Sequence, residues 1–65
     1  MITVNGQAQE FEDDMTVTDL VRSLDLAAQR VAVELNRAIV PRATFDSTLL
    51  HDDDKVEFVH LVGCG

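Results

Sequence analysis

Only one stretch of this chain carries a helical repeat, and that limits what can be built around it. In "MTVTDLVRSLDL" the apolar residues Val17, Leu20, Val21 and Leu24 recur at i, i+3, i+4 and i+7, the spacing of one face of a short amphipathic helix. Thr16 stands where an N-cap belongs, Asp19 three residues on can close a capping box, and Met15 sits where a hydrophobic staple would meet Leu20. The other apolar runs alternate or stop too early for a helix. A single helix can cover one face of a sheet and no more, so the pattern predicts an α+β domain with the opposite sheet face open.

The strand signals lie on both sides of that helix. "MITVNGQAQEF" places Ile2 and Val4 on one side of a strand, turns at Asn5-Gly6 and resumes as a second strand toward Phe11; Asn-Gly suits a tight hairpin because both residues tolerate positive φ. "VAVELN" alternates Val31, Val33 and Leu35 against Ala32 and Glu34, and a short strand over Ala38 to Val40 is stopped by Pro41, which has no N–H to give a ladder. "DSTLLHDDD" reads as a loop and turn in which Phe45, Leu49 and Leu50 close one end of the core. In "KVEFVHLV", Val56, Phe58 and Val62 share a face with His60, while Val59 and Leu61 share the other with Lys55 and Glu57. The helix then covers Ile2, Val4, Val33, Leu35, Val56 and Phe58. Val59 and Leu61 fall on the open face, unless the loop after Pro41 folds over them as core.

Charge and size narrow the function. Twelve acidic residues against five basic ones give a net charge of −7, which opposes nucleic acid and anionic membranes and favours a basic protein surface as partner. A 65-residue domain buries only about 60% of its unfolded surface, which argues against a large enclosed active site. There is no apolar run of membrane-spanning length and no basic leader, and a single cysteine cannot form an internal disulfide, so a cytoplasmic, reducing setting is expected. With no glycine-rich phosphate loop and no basic cluster for ATP, the chain is not expected to be an enzyme. No metal site is expected either. Asp52-Asp53-Asp54 lacks the spaced ligands of a calcium loop and reads as a solvated turn; His60 reads as an ordinary strand residue, and with Cys64 offers two ligands where zinc wants three or four.

The ending "VHLVGCG" is either a frayed terminus or the working part of the molecule. Taken with "TVTDLVRSL", "VAVELNRAIVPR" and "DDDKVEFVHLVG", and with the order hairpin, helix, strand pair and last strand, it resembles the ubiquitin-like β-grasp sulfur carriers, among them those of thiamin biosynthesis, over essentially the whole chain. The resemblance implies a β-grasp domain over residues 1–61 and a flexible tail over 62–65. It implies that the C-terminal carboxylate of Gly65 is adenylated by a separate enzyme using ATP and Mg²⁺ and becomes a thiocarboxylate. Sulfur would come from a persulfide donor, and a thiazole synthase would receive it. Gly65 has no side chain to hinder approach to its carbonyl, and four extended residues reach at most roughly 13 to 14 Å. Val59, Leu61 and Val62 are then the expected docking residues, with Gly63 opening the tail.

Carriers of this kind end in Gly-Gly, whereas here Cys64 is penultimate. Cys64 has three readings: tolerated filler, a redox handle, or a nucleophile toward its own activated Gly65 carbonyl. The third would need a cis amide, costing roughly 2.5 to 4 kcal/mol, and no nearby cation lowers the thiol pKa. Two other functions share the pattern: the small subunit of molybdopterin synthase, and a β-grasp protein-binding module whose tail is never activated.

Overall fold

The computed structural model describes residues 1–60. The Asn5-Gly6 hairpin forms as the sequence predicts: β1 (Ile2–Val4) and β2 (Gln7–Gln9) pair antiparallel, with Asn5 at φ 49° and Gly6 at φ 83° in the turn. The second strand ends at Gln9, short of Phe11. The helix, α1 (Val17–Ser23), begins at Thr16 with both halves of the capping box in place: Thr16 Oγ1 accepts from the Asp19 N–H, and Asp19 Oδ2 accepts from the Thr16 N–H, each at 3.1 Å. A 3₁₀ turn over Ala28–Arg30 leads into β3 (Val31–Leu35), which pairs antiparallel with β4 (Ala38–Ile39). A second 3₁₀ turn, Arg42–Thr44, is tied to the first by the Arg42 guanidinium, which donates to the carbonyls of Ala28 and Gln29. The chain then returns through β5 (Lys55–His60).

These strands make one five-stranded mixed sheet in the order β2-β1-β5-β3-β4. The last strand is therefore the central one, parallel to β1 and antiparallel to β3. With α1 on one face this is the α+β, β-grasp architecture expected from the sequence. The core lies between helix and sheet: Val17, Leu20 and Val21 of α1 pack with Ile2, Val4, Val31, Val33 and Val56 of the sheet, closed off by Val40, Phe45 and Leu50. Met15, Leu24, Leu35 and Phe58 are half-buried against it.

Leu49 departs from the expectation that it helps close the core. It is 43% exposed, while Phe45 and Leu50 are buried. Thr48 to Leu50 runs extended beside the start of the helix: the Val17 N–H donates to the Thr48 carbonyl, the Leu50 N–H donates to the Met15 carbonyl, and Thr16 and Leu49 form a bridge. Neighbouring side chains of an extended segment point opposite ways, so burying Leu50 turns Leu49 outward.

Asp19 is held below the ordinary carboxylate value of 3.8, first by the backbone and then by the side-chain hydrogen bond of Thr16. A lowered folded-state pKa contributes stability that is present above the unfolded value and lost as pH falls through the folded one. Thr16→Ala is expected to cost about 1 kcal/mol in urea denaturation at neutral pH. Asp19→Asn should lose less stability than the native chain when pH is lowered from 5 to 3, a comparison that denaturation at the two pH values checks.

Candidate functional site on the open sheet face

β5 carries the chain toward its tail, and local sequence decides how each flank of the strand is held. On the β1 side the parallel pairing ends at Val4 and Val56, because the chain turns away at Asn5-Gly6. The Asn5 N–H still donates to the Val56 carbonyl, and Asn5 Oδ1 accepts the Phe58 N–H at 2.8 Å, so the turn's side chain replaces a missing strand. On the β3 side the ladder runs on through His60 opposite Val31. At its start, the Lys55 N–H donates to Asn36 Oδ1 and Asn36 Nδ2 donates to Asp54 Oδ1, both at 2.9 Å.

Residues opposed across paired strands share a face. The register therefore sets Val59 beside Ala32, and Glu57 beside Glu34, which in turn faces Ile39. All five lie on the side away from α1. Val59 is 52% exposed, so the helix does not cover it and the loop after Pro41 does not bury it. Ile39, at 65%, is more exposed still and was not among the residues predicted from sequence. The signal for it was present in the turn: folding "ELNRAI" tightly at Asn36-Arg37, which take φ of 52° and 70°, puts Ile39 opposite Glu34 and hence on the open face.

The result is a small apolar surface of Ile39, Ala32 and Val59 crossed by a pair of carboxylates. Glu34 and Glu57 stand directly opposite one another, and neither forms an ion pair among the described residues. Like charges so placed repel, and a basic partner would relieve that repulsion while covering the apolar groups.

Of the site residues predicted from sequence, Val59 alone falls within the described part. Leu61, Val62, Gly63, Cys64 and Gly65 lie outside the described residues. His60 occupies the helix-side face opposite Val31, exposed at the strand end, while His51 precedes the strand at its other end with Nδ1 3.9 Å from Asp54 Oδ2. The acidic run is occupied by turn contacts: Asp54 also accepts from the His51 N–H, and Asp52 pairs with the Met1 ammonium. Among the described residues no group of three or more His, Cys, Asp or Glu is placed to hold a metal. Among the same residues no helix is long and apolar enough to cross a membrane.

The model of the ThiS family matches residues 2–65. The chain belongs to the ThiS family. This is the group of ubiquitin-like sulfur carriers of thiamine biosynthesis that the sequence resembles. It is 35% identical over 66 residues to the sulfur carrier protein ThiS of Bacillus subtilis, covering 100% of both chains. The crystal structure of the thiamine biosynthesis protein ThiS from Geobacter metallireducens superposes with a TM-score of 0.82 at 39% identity, covering 98% of this chain and 97% of that one. A thiazole synthase of Magnetococcus marinus is 39% identical over 64 residues; the match takes in 98% of this chain and spans 20% of the length of that protein.

The facing carboxylates of this ThiS chain give a direct test of its open face. Glu57→Gln is expected to stabilise the fold by about 0.5 kcal/mol at low ionic strength, measured by urea denaturation. The gain should shrink in about 1 M salt, where the screening length is about 3 Å.

Proposed function

We propose that this ThiS chain carries sulfur as a thiocarboxylate on Gly65, made and used by partners that dock on the open sheet face. The carboxylate is first joined to AMP by a separate adenylating enzyme that uses ATP and Mg²⁺, which replaces a poor leaving group with a good one. The outer sulfur of a persulfide then attacks the carbonyl carbon, AMP departs and an acyl disulfide forms; a second thiol attacks the donor's sulfur, becomes a disulfide with it and frees the thiocarboxylate. The thiocarboxylate is delivered to a thiazole synthase. In this scheme the chain supplies an address and a reactive end, not a catalytic centre.

The observation that carries this reading is the family match through residue 65, which includes the tail as well as the domain. The open face supports it. Ile39 and Val59 are exposed on the same side of the sheet, and Val59 stands three positions before residue 62, where the expected tail to Gly65 starts. The likeness to a thiazole synthase over one fifth of that protein supports the choice of recipient. A net charge of −7 favours basic docking surfaces and raises encounter rates more than final affinity. Cys64 is filler in this reading, because the carbonyl that reacts belongs to the next residue.

Incubation with the host's adenylating enzyme, ATP, Mg²⁺ and sulfide tests the proposal by intact mass. An oxygen-to-sulfur mass change located at Gly65 is expected, absent when Gly65 is removed and formed at the native rate in Cys64→Gly. No change under conditions that load a Gly-Gly carrier would contradict it. Ile39→Thr and Val59→Thr, which keep a strand-forming side chain and add no charge beside Glu34 and Glu57, should each raise the KM for the carrier several-fold without unfolding the domain.

A further inference from the structure

A groove opens at the other end of β5, between the loop from Phe11 to Asp14 and the extended segment from Leu49 to Asp52, with a volume of about 450 Å³. We propose that this groove is a second docking surface, fitted to an extended segment of a partner protein that sets an arginine or lysine beside an apolar side chain. The inference is independent of the sulfur-carrier reading, since it concerns a different part of the surface.

The walls are held in place by the backbone. The Leu50 N–H donates to the Met15 carbonyl at 2.8 Å, the Val17 N–H to the Thr48 carbonyl at 3.0 Å, and the Met15 N–H to the Glu12 carbonyl at 3.1 Å. A groove fixed in this way needs little ordering when a ligand arrives. Its floor is apolar: Phe11 is half-buried, Leu50 is buried, and Leu49 is turned outward at 43% exposure. Turned outward by the burial of Leu50, Leu49 lines the groove.

The rim carries three carboxylates, Asp13, Asp14 and Asp52, together with His51, whose Nδ1 lies toward Asp54. Asp13 and Asp14 form no ion pair among the described residues, and Asp52 is paired with the exposed Met1 ammonium, a contact open to water and easily exchanged. An apolar floor under a carboxylate rim matches side chains that lay a methylene stem along apolar surface and keep a cation at its edge. Arginine and lysine have that form. The same charges disfavour nucleic acid and anionic lipid.

The groove lies before the start of β5, whereas Val59 lies near its end. Lys55 to His60 spans about 17 Å at about 3.3 Å per residue, so both surfaces can be occupied together. A partner could hold the domain by the groove while another engages the open face.

Chemical-shift mapping on the full ¹⁵N-labelled chain tests this with two capped synthetic peptides, Gly-Arg-Leu-Arg-Gly and Gly-Glu-Leu-Glu-Gly. The arginine peptide should shift the amides of Asp13, Asp14, Leu49 and His51 to saturation, at concentrations below any that move Ala32, Ile39 or Val59. The glutamate peptide should shift none of them. Leu49→Ser and the double variant Asp13→Asn, Asp14→Asn should each weaken binding about fivefold or more; all three positions are exposed, and unchanged dispersion of the remaining resonances verifies the fold. Shifts that fail to saturate, that spread over the whole acidic surface, that centre on the open face, or that persist equally in Leu49→Ser would overturn the proposal.

Discussion

The central placement of β5 is the constraint on which the rest of this molecule depends. Among the described residues it is the last strand in sequence and the middle one in space, parallel to β1 and antiparallel to β3. Two turn asparagines hold it. Asn5 accepts the Phe58 N–H where β1 has already turned away, and Asn36 binds both the Lys55 N–H and the Asp54 carboxylate at the strand's start. Each residue favours its turn by tolerating positive φ, and each also pins a neighbouring strand. Because side chains alternate, a slip of one residue would exchange the buried Val56 and half-buried Phe58 for Glu57 and Val59. The clamps and the core therefore specify the same register.

From that register follows the division of the sheet into a covered and an uncovered face. One seven-residue helix satisfies one side, and the other is left with Ile39, Ala32 and Val59 beside two opposed carboxylates. Neither feature favours the isolated domain: exposed apolar groups gain nothing from water, and Glu34 repels Glu57. Both are suited to a surface that is covered in turn by other proteins. The reading of this ThiS chain as a sulfur carrier assigns the chemistry to the tail and the recognition to this face.

Much of this was legible in the sequence wherever the signal was local. Asn5-Gly6 marked the hairpin, Thr16 and Asp19 marked the helix start, and the alternation of Val31, Val33 and Leu35 marked the inner face of β3. Long-range facts were not legible in the same way. Nothing in the residues of β5 alone states that β1 and β3 flank it, and the asparagine side chains disclose their second role only when the strands are assembled. Hydrophobicity alone does not distinguish Leu49 from Leu50; the extended bridge to Thr16 turns Leu50 in and Leu49 out. The exposure of Ile39 follows only once the strand after Asn36-Arg37 is folded back against Glu34. The tail residues Gly63, Cys64 and Gly65 rest on family membership, since their chemistry depends on a partner's active site rather than on packing within this domain.

Native-state hydrogen exchange of β5 tests the central claim most directly. The amides of Lys55 and Phe58, bonded to asparagine side chains, and those of Glu57 and Val59, in the antiparallel ladder, are expected to exchange only through global opening, with the same opening free energy as the buried Leu20, whose N–H donates to the Thr16 carbonyl. Rapid exchange at Phe58 or Val59, through local fraying while Leu20 stays protected, would contradict it.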